Sequence, residues 1–339
     1  SLEMWGINRL KNPLASIVFH YSNTQSYQPE ARTMGQPNDD LKQVEYLERY
    51  YDAYPKGKKD IVYLVPPDKL EERKIGYADS KVYPIQFPSN VLHGNHWKLL
   101  MGAVGNQAAY LHIMNKIMRE HRQNISIDFL KEQIFEEPMS DSMREFSEMR
   151  LAFAQQYINE DSDLMSLLKP GALIVVDVRD ELIEKDEALS LFMILMDLFA
   201  QHTTTEQPFN KLVMFDECHK YIENPNLVKA LTEAVREMRH RGTSIILASQ
   251  DPRSIPKVLL ELATIMMLFK FNSPEWLDYL KQANAALKYL TPAKLNGLRP
   301  GEAYIWANKS TDISFTRQAH KILCRPRVTK HGGDTKTAL

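Results

Sequence analysis

Leu212-Val-Met-Phe-Asp-Glu217 is the stretch on which the fold turns. Four apolar residues predict a short buried strand, and the strand stops at two adjacent carboxylates. Successive side chains of a strand point to opposite faces, so the two acids are expected to aim in different directions. One of them can then hold a hydrated divalent cation, while the other orients or deprotonates a water attacking a phosphoryl group. Two solvated acids at an ordinary strand end are written with the same letters, so the flanking sequence has to separate the two readings.

Downstream, Leu227, Leu231, Ala234, Val235 and Met238 fall on one helix face. A strand, Ser244-Ile-Ile-Leu-Ala-Ser249, then ends at Gln250, and a further one is expected at Ile265–Phe271. Upstream, Ala172-Leu-Ile-Val-Val-Asp-Val178 is a continuous apolar run after Pro170-Gly171, as a strand covered on both faces would be. A buried helix follows it, with Ala188, Leu191, Phe192, Leu195, Leu198 and Phe199 aligned. Nearer the start lie a strand at Ser16–Phe19, a charged helix over Asp40–Tyr54 and a strand at Ile61–Val65. This alternation predicts an α/β fold with a mostly parallel sheet covered on both faces. Such sheets bind ligands at the carboxyl ends of their strands, which puts Gln250 beside the phosphate expected at Asp216 and Glu217. Arg236 and Arg239 lie three apart on one helix face, where they suit an arginine finger in a neighbouring subunit's site or simply a basic helix end.

In this order the motifs resemble those of a known group. Phe215-Asp-Glu-Cys-His-Lys-Tyr, Arg236-Glu-Met-Arg-His-Arg-Gly and Ile246-Leu-Ala-Ser-Gln-Asp-Pro look like the Walker B strand, arginine-bearing helix and sensor strand of HerA-type ATPases in the HerA–FtsK superfamily. Gly171–Val178 and Pro300-Gly-Glu-Ala-Tyr-Ile-Trp306 are similar to two further strands of that group. The resemblance covers roughly Lys169 to Arg327 and implies a RecA-like P-loop ATPase core carrying a helical insertion. The expected divisions are 1–96 and 169–316 for the core, 97–168 for the insertion and 317–339 for a basic tail. It further implies a cytoplasmic, hexameric motor driven by ATP and Mg²⁺ that acts on double-stranded DNA, with a nuclease partner in DNA processing or anti-phage restriction. In that scheme Asp216 holds Mg²⁺ through water, Glu217 positions the attacking water and Gln250 senses the γ-phosphate. Arg236 or Arg239 acts in trans, and Arg325 and Arg327 contact phosphate. The competing reading is an oligomeric scaffold that recruits a nuclease and does not hydrolyse ATP.

One departure is large. No G-x-x-x-x-G-K-[ST] occurs, in keeping with a total of only 13 glycines. Lys56-Gly-Lys-Lys59 lacks the first glycine, lies between a helix and a strand, and reads as a solvated basic loop. Leu2, Met4, Trp5, Ile7 and Leu10 predict a helix before the first strand, the order that follows a phosphate loop. The expectation is therefore a phosphate loop upstream of Ser1, with a degenerate, non-hydrolysing member as the alternative.

Composition narrows the rest. With 42 basic and 43 acidic side chains, no global field marks a nucleic-acid or membrane partner. DNA contact must then come from local strips, for which Lys56–Lys59, Lys116–Arg122 and the stretch Arg317–Lys336 are candidates. Two cysteines exclude a disulfide framework or a Cys-rich zinc site and suit a reducing, intracellular setting. The apolar run Leu189–Ala200 is too short for a membrane span of roughly 17–25 residues. His93 and His96 read as exposed loop histidines, and Cys218-His219 as no nucleophile pair. Asp177 is expected to pair with Arg179 two residues on, across the same strand face.

Overall fold

The computed structural model describes residues 13–78, 80–103, 108–120, 125–202 and 209–332. Its centre is a six-stranded, wholly parallel sheet of β1 (Ala15–Ser22), β2 (Ile61–Val65), β3 (Lys81–Pro84), β4 (Leu173–Arg179), β5 (Lys211–Phe215) and β6 (Thr243–Leu247). The strands lie in the order β3-β2-β4-β1-β5-β6, so β1 is gripped between β4 and β5. The chain is an α/β protein, as the alternation predicts.

The helices are α1 (Leu41–Tyr51), α2 (Leu70–Gly76), α3 (Gly94–Leu100), α4 (Ala108–Glu120), α5 (Ile127–Glu136), α6 (Asp141–Gln156), α7 (Lys185–Gln201), α8 (Pro225–Met238), α9 (Lys257–Leu262), α10 (Pro274–Ala283), α11 (Pro292–Asn296) and α12 (Ile313–Arg317). Asp40 starts α1 by accepting the backbone N–H groups of Lys42 and Gln43, which the helix itself leaves unpaired. Buried almost all round, α7 lies on the face of the sheet formed by Ile17, Phe19, Val176 and Phe215, and Phe192 stacks on Phe19 at 4.7 Å between ring centroids. Its last turn is tied off by Lys211, whose buried ammonium donates to the carbonyl of Ala200 at 2.7 Å. The other face carries Val18, Tyr63, Val65 and Val175 and is closed by Tyr77, whose ring lies 3.8 Å from that of Tyr63. Helices α3 to α6 fall between β3 and β4 in sequence.

Several expectations need correction. The strand at Ile265 does not join the parallel sheet. It is β7 (Ile265–Leu268), paired antiparallel with β8 (Glu302–Ala307), which pairs in turn with β9 (His320–Leu323). An apolar run carries no record of which neighbour its backbone will meet, and β7 buries Met266 while Ile265 and Met267 stay exposed. β9 lies inside the stretch read as a basic tail. Its Lys321 sits 2.8 Å from Glu302 on β8, so the charge faces a partner across the ladder. The chain then returns to α1, where Val328 packs with Leu47 and Ala53 and the Asn38 amide donates to the Arg327 carbonyl at 2.6 Å. β3, a short edge strand ending in proline, was not foreseen. The helix expected over the first eleven residues lies outside the described residues.

Asp177 pairs with Arg179 as its spacing predicts, and both are fully enclosed. The guanidinium donates through Nε and Nη2 to the two carboxylate oxygens, each at 2.7 Å, and the Tyr77 hydroxyl adds a third bond of 2.7 Å. Burial, then the charge of Asp177, pushes the Tyr77 phenol far above its ordinary range, so it remains a donor. Arg73 stands behind them, its Nε 3.4 Å from Asp177 Oδ2 and its Nη2 donating to the Arg179 carbonyl at 2.8 Å. Removing the carboxylate would leave the buried Arg179 without its counter-charge, while Arg73 keeps Glu72 at 2.7 Å. Asp177→Ala is therefore expected to lose about 3–5 kcal/mol of stability, read from the urea midpoint. A loss below about 1 kcal/mol would show that the cluster is not a buried counter-charge.

Candidate active site

Asp216 and Glu217 follow directly on the last residue of β5 and are held from both sides. The pairing of β1 with β5 ends at Phe19 against Phe215, and one step later the Asp216 N–H donates to the Phe19 carbonyl at 3.0 Å. The hydroxyl of Tyr221 donates to the Asp216 carbonyl at 2.9 Å, and Cys218 N–H reaches the Ala248 carbonyl beyond β6 at 2.9 Å. Between these anchors Glu217 adopts a left-handed backbone with φ of 48°. L-residues with a branched or long side chain rarely accept that conformation, which costs roughly 1–2 kcal/mol. Strain of this kind persists where neighbours impose it and is frequent at functional positions.

The side chains converge at the carboxyl edge. Gln250 donates from Nε2 to Glu217 Oε1 at 2.8 Å, so the glutamine that follows β6 meets the second acid. Glu217 Oε2 lies 3.4 Å from the Lys220 ammonium and 3.6 Å from His219 Nε2. That ammonium also stands over the Tyr27 ring at 3.7 Å from its centroid. Asp216 Oδ2 lies 3.7 Å from Nδ1 of the enclosed His20. Neither His20 nor Tyr27 nor Lys220 was singled out from the sequence. The one available signal was a polar residue, His20, at the carboxyl end of an otherwise apolar strand.

Other candidate residues lie elsewhere in the chain. β5 and β6 run parallel, so α8 between them returns toward the amino edge, and its 14 residues span roughly 20 Å. Arg236, exposed in its last turn, is therefore remote from Asp216 within one chain, and Arg239 follows in the turn Arg239–Arg241. Arg325 donates to the neighbouring Pro326 carbonyl at 2.9 Å, and Arg327 lies beside Asn38. Among the described residues neither arginine makes a hydrogen bond or ion pair to the two acids. The Lys56–Lys59 loop is pinned rather than free: Gly57 packs on Gly35, where a Cβ would lie 2.1 Å from the carbonyl oxygen, and Lys58 N–H donates to Met34 at 2.7 Å. Lys116 is tied to Glu137 at 2.7 Å. His96 is not the exposed histidine expected. It is buried, and its Nε2 lies 2.9 Å from Asp197. Burial opposes the charge of Asp197, but His96 and Arg241 outweigh it and hold the carboxyl below its usual range. Cys218 is buried and its thiol is pushed up to about 12 by desolvation, which removes it as a nucleophile.

Among the described residues no group of three or more His, Cys, Asp or Glu side chains is arranged to hold a metal. No described helix is long and apolar enough to cross a membrane.

No protein-family model matches the chain, and no curated protein matches it. Among solved structures, VirB4 of Thermoanaerobacter pseudethanolicus is similar over 93% of this chain and 89% of its own, at 12% identity and a TM-score of 0.47. The bacterial conjugative coupling protein TrwBΔN70, in its trigonal form with sulphate, is similar over 94% of this chain and 81% of its own, at 12% identity and a TM-score of 0.48. The genome packaging NTPase B204 from Sulfolobus turreted icosahedral virus 2, in complex with ATP-gammaS, covers 49% of this chain and 73% of its own, at 15% identity and a TM-score of 0.35. Identities this low do not bear on chemistry.

The strained glutamate makes a direct prediction. At an ordinary accessible position alanine is the more stabilising of the two smallest residues. At a left-handed one glycine is. Glu217→Gly is expected to be more stable than Glu217→Ala by about 1 kcal/mol of unfolding free energy, read by calorimetry. The reverse order would remove the strain from the account.

Proposed function

We propose that the chain carries the hydrolytic residues of an ATP-driven double-stranded DNA motor of the HerA type, working as a hexameric ring with a nuclease in DNA processing or anti-phage restriction. The observation that carries this reading is the convergence of Asp216, Glu217 and Gln250 at the carboxyl edge of a parallel sheet, with Gln250 bonded to Glu217. The nucleotide would be ATP with Mg²⁺. A magnesium ion keeps several of its waters and takes one or two carboxylates plus phosphate oxygens. A lone carboxylate, Asp216, beside an unpaired imidazole nitrogen suits such an ion, where a three-ligand cage would suit zinc. Bound there, Mg²⁺ would supply positive charge to the phosphates. Glu217, held by Gln250, is set to receive the proton of an attacking water, and Gln250 is set to report on the γ-phosphate through that same bond.

The phosphate loop would come from a segment outside Ser1–Leu339. In support, β6 pairs only with β5 among the described residues, and Ile246 on it is 43% exposed. β7 likewise pairs only with β8 and exposes Ile265 and Met267. The two strands are joined through α9, which packs on α8, as in a strand–helix–strand crossover whose strands belong to one sheet. One added strand between them would bring a glycine-rich loop to the carboxyl edge beside Gln250. Arg236 and Arg239, remote from Asp216 in their own chain, would act on the site of a neighbouring subunit, as would Arg325 and Arg327.

A scaffold without hydrolysis is the second reading, favoured by the missing glycine-rich loop and by the partners that already occupy Glu217. ATPase rates with and without double-stranded DNA separate the two, measured on this chain and on one extended upstream. The motor reading expects DNA-stimulated hydrolysis only in the extended chain, falling about 10²–10⁴-fold in Glu217→Gln. Silence of both chains would establish the scaffold.

A further inference from the structure

Charge is unevenly placed along this near-neutral chain. Between Tyr279 and Arg327 there are nine basic side chains and two acidic ones, which leaves 33 basic and 41 acidic for the rest. Both acids in that stretch are already engaged. Glu302 takes the Lys321 ammonium at 2.8 Å, and Asp312 accepts the Ser314 N–H at 2.9 Å as the cap of α12. The other eight cations lie more than 4 Å from any carboxylate among the described residues. An excess of one sign confined to one part of a chain is the electrostatic footprint of a polyanion site.

Folding gathers these charges. The stretch contributes nothing to the parallel sheet: it holds the end of α10, then α11, β8, α12 and β9. Two backbone bonds draw it together. The Ala319 N–H donates to the Ala286 carbonyl at 3.3 Å, which brings the chain after Arg317 to the chain before Lys288. The Cys324 N–H donates to the Gly301 carbonyl at 2.7 Å, close to Arg299. Lys288, Lys294, Arg299 and Arg317 are all exposed. Tyr289 is 58% exposed beside them, with the Lys288 ammonium 4.7 Å from its ring centroid. Lys294 gives one N–H to the Tyr289 carbonyl at 2.9 Å and keeps two to donate elsewhere. An ammonium held in this way loses less freedom when it meets an anion. The cations are spread along the unit instead of converging on one point, which suits a repeating row of phosphates better than a single anion.

We propose that this C-terminal unit, through Lys288, Lys294, Arg299 and Arg317, meets the phosphate backbone of double-stranded DNA. The proposal rests on the reading of the chain as a DNA motor, and it moves the DNA contact away from the Lys56–Lys59 loop. Arg325 and Arg327 keep the role given them above. Phosphate contacts carry no base sequence, so they suit a motor that must travel along any duplex. Each one releases condensed counterions, so its presence is read in the salt dependence of binding.

Fluorescence anisotropy of a labelled duplex, titrated with the whole chain without nucleotide over a series of salt concentrations, tests this. Wild type is expected to bind, with log K falling linearly against log salt. Each of Lys288→Gln, Lys294→Gln, Arg299→Gln and Arg317→Gln is expected to shallow that slope by about 0.9, and the four together by about 3.6. Lys56→Gln combined with Lys59→Gln is expected to leave it unchanged. A slope that the four substitutions do not alter would overturn this surface. A shallower slope in the Lys56, Lys59 variant would then return the contact to that loop and leave the DNA motor standing. No binding by wild type at the lowest salt would overturn the surface together with the DNA part of that reading. Vesicles of phosphatidylserine and phosphatidylcholine serve as competitor: displacement of the duplex at equal charge would assign the patch to a lipid surface and overturn the proposal.

Discussion

The backbone bond from the Asp216 N–H to the Phe19 carbonyl is the constraint on which the carboxyl edge depends. It extends the β1–β5 ladder one residue past the end of β5, and so determines where the chain leaves the sheet. Once Asp216 is held there, Glu217 has to turn into a left-handed conformation for Cys218 to reach the carbonyl of Ala248. Held so, Glu217 accepts from Gln250, three residues past the end of β6. The bond is itself secured by packing below it. Phe19, Phe215, Phe192 and Tyr221 form one aromatic cluster with centroid separations from 4.7 to 6.4 Å, so neither strand can slip without opening the core.

Charge at this edge is managed differently at its two ends. On β4, Asp177 is enclosed with Arg179, Tyr77 and Arg73, and every carboxylate oxygen is occupied. A buried pair of this sort contributes little net stability, but it fixes geometry because breaking it is expensive. Arg179 also holds the carbonyl of Gln25 at 2.6 Å, and so positions the loop that brings Tyr27 over His20. Next to β5 the carboxylates keep some contact with solvent, with Asp216 20% and Glu217 14% exposed, and their charged or chargeable partners stand 3.4 to 3.7 Å off. The closed cluster on β4 thus stands one strand away from the more open one after β5, with β1 between them.

The edges of the two sheets differ from their centres in kind. Inner strands β1, β2 and β4 are buried along their length, whereas β6 and β7 show apolar side chains to solvent. Exposed apolar edge strands invite further pairing, since their free N–H and C=O groups template another strand. β3, the opposite edge, is protected by its shortness and by Pro84. The contrast marks the β6 side as the face of the sheet equipped to meet another strand.

Much of the architecture was legible in local pattern. Lys211–Phe215 and Ile61–Val65 could be read as strands because short apolar runs between polar breaks have few other ways to hide both faces. The buried character of α7 was written in its apolar residues, and the Asp177–Arg179 pair in its period of two. Asp216, Glu217 and Gln250 could be named because adjacency and strand ends are properties of a linear string. What the string leaves open is which strands become neighbours, since backbone hydrogen bonds are the same for every residue. For that reason β7 was assigned to the wrong sheet and β9 was missed within a basic stretch. His20 and Tyr27 entered the site only when register set β1 beside β5, nearly two hundred residues away in sequence. Side-chain chemistry by itself determined which residues are fit for the site; only tertiary pairing decided which of them meet, because those contacts are made through space between segments whose separation along the chain carries no such information.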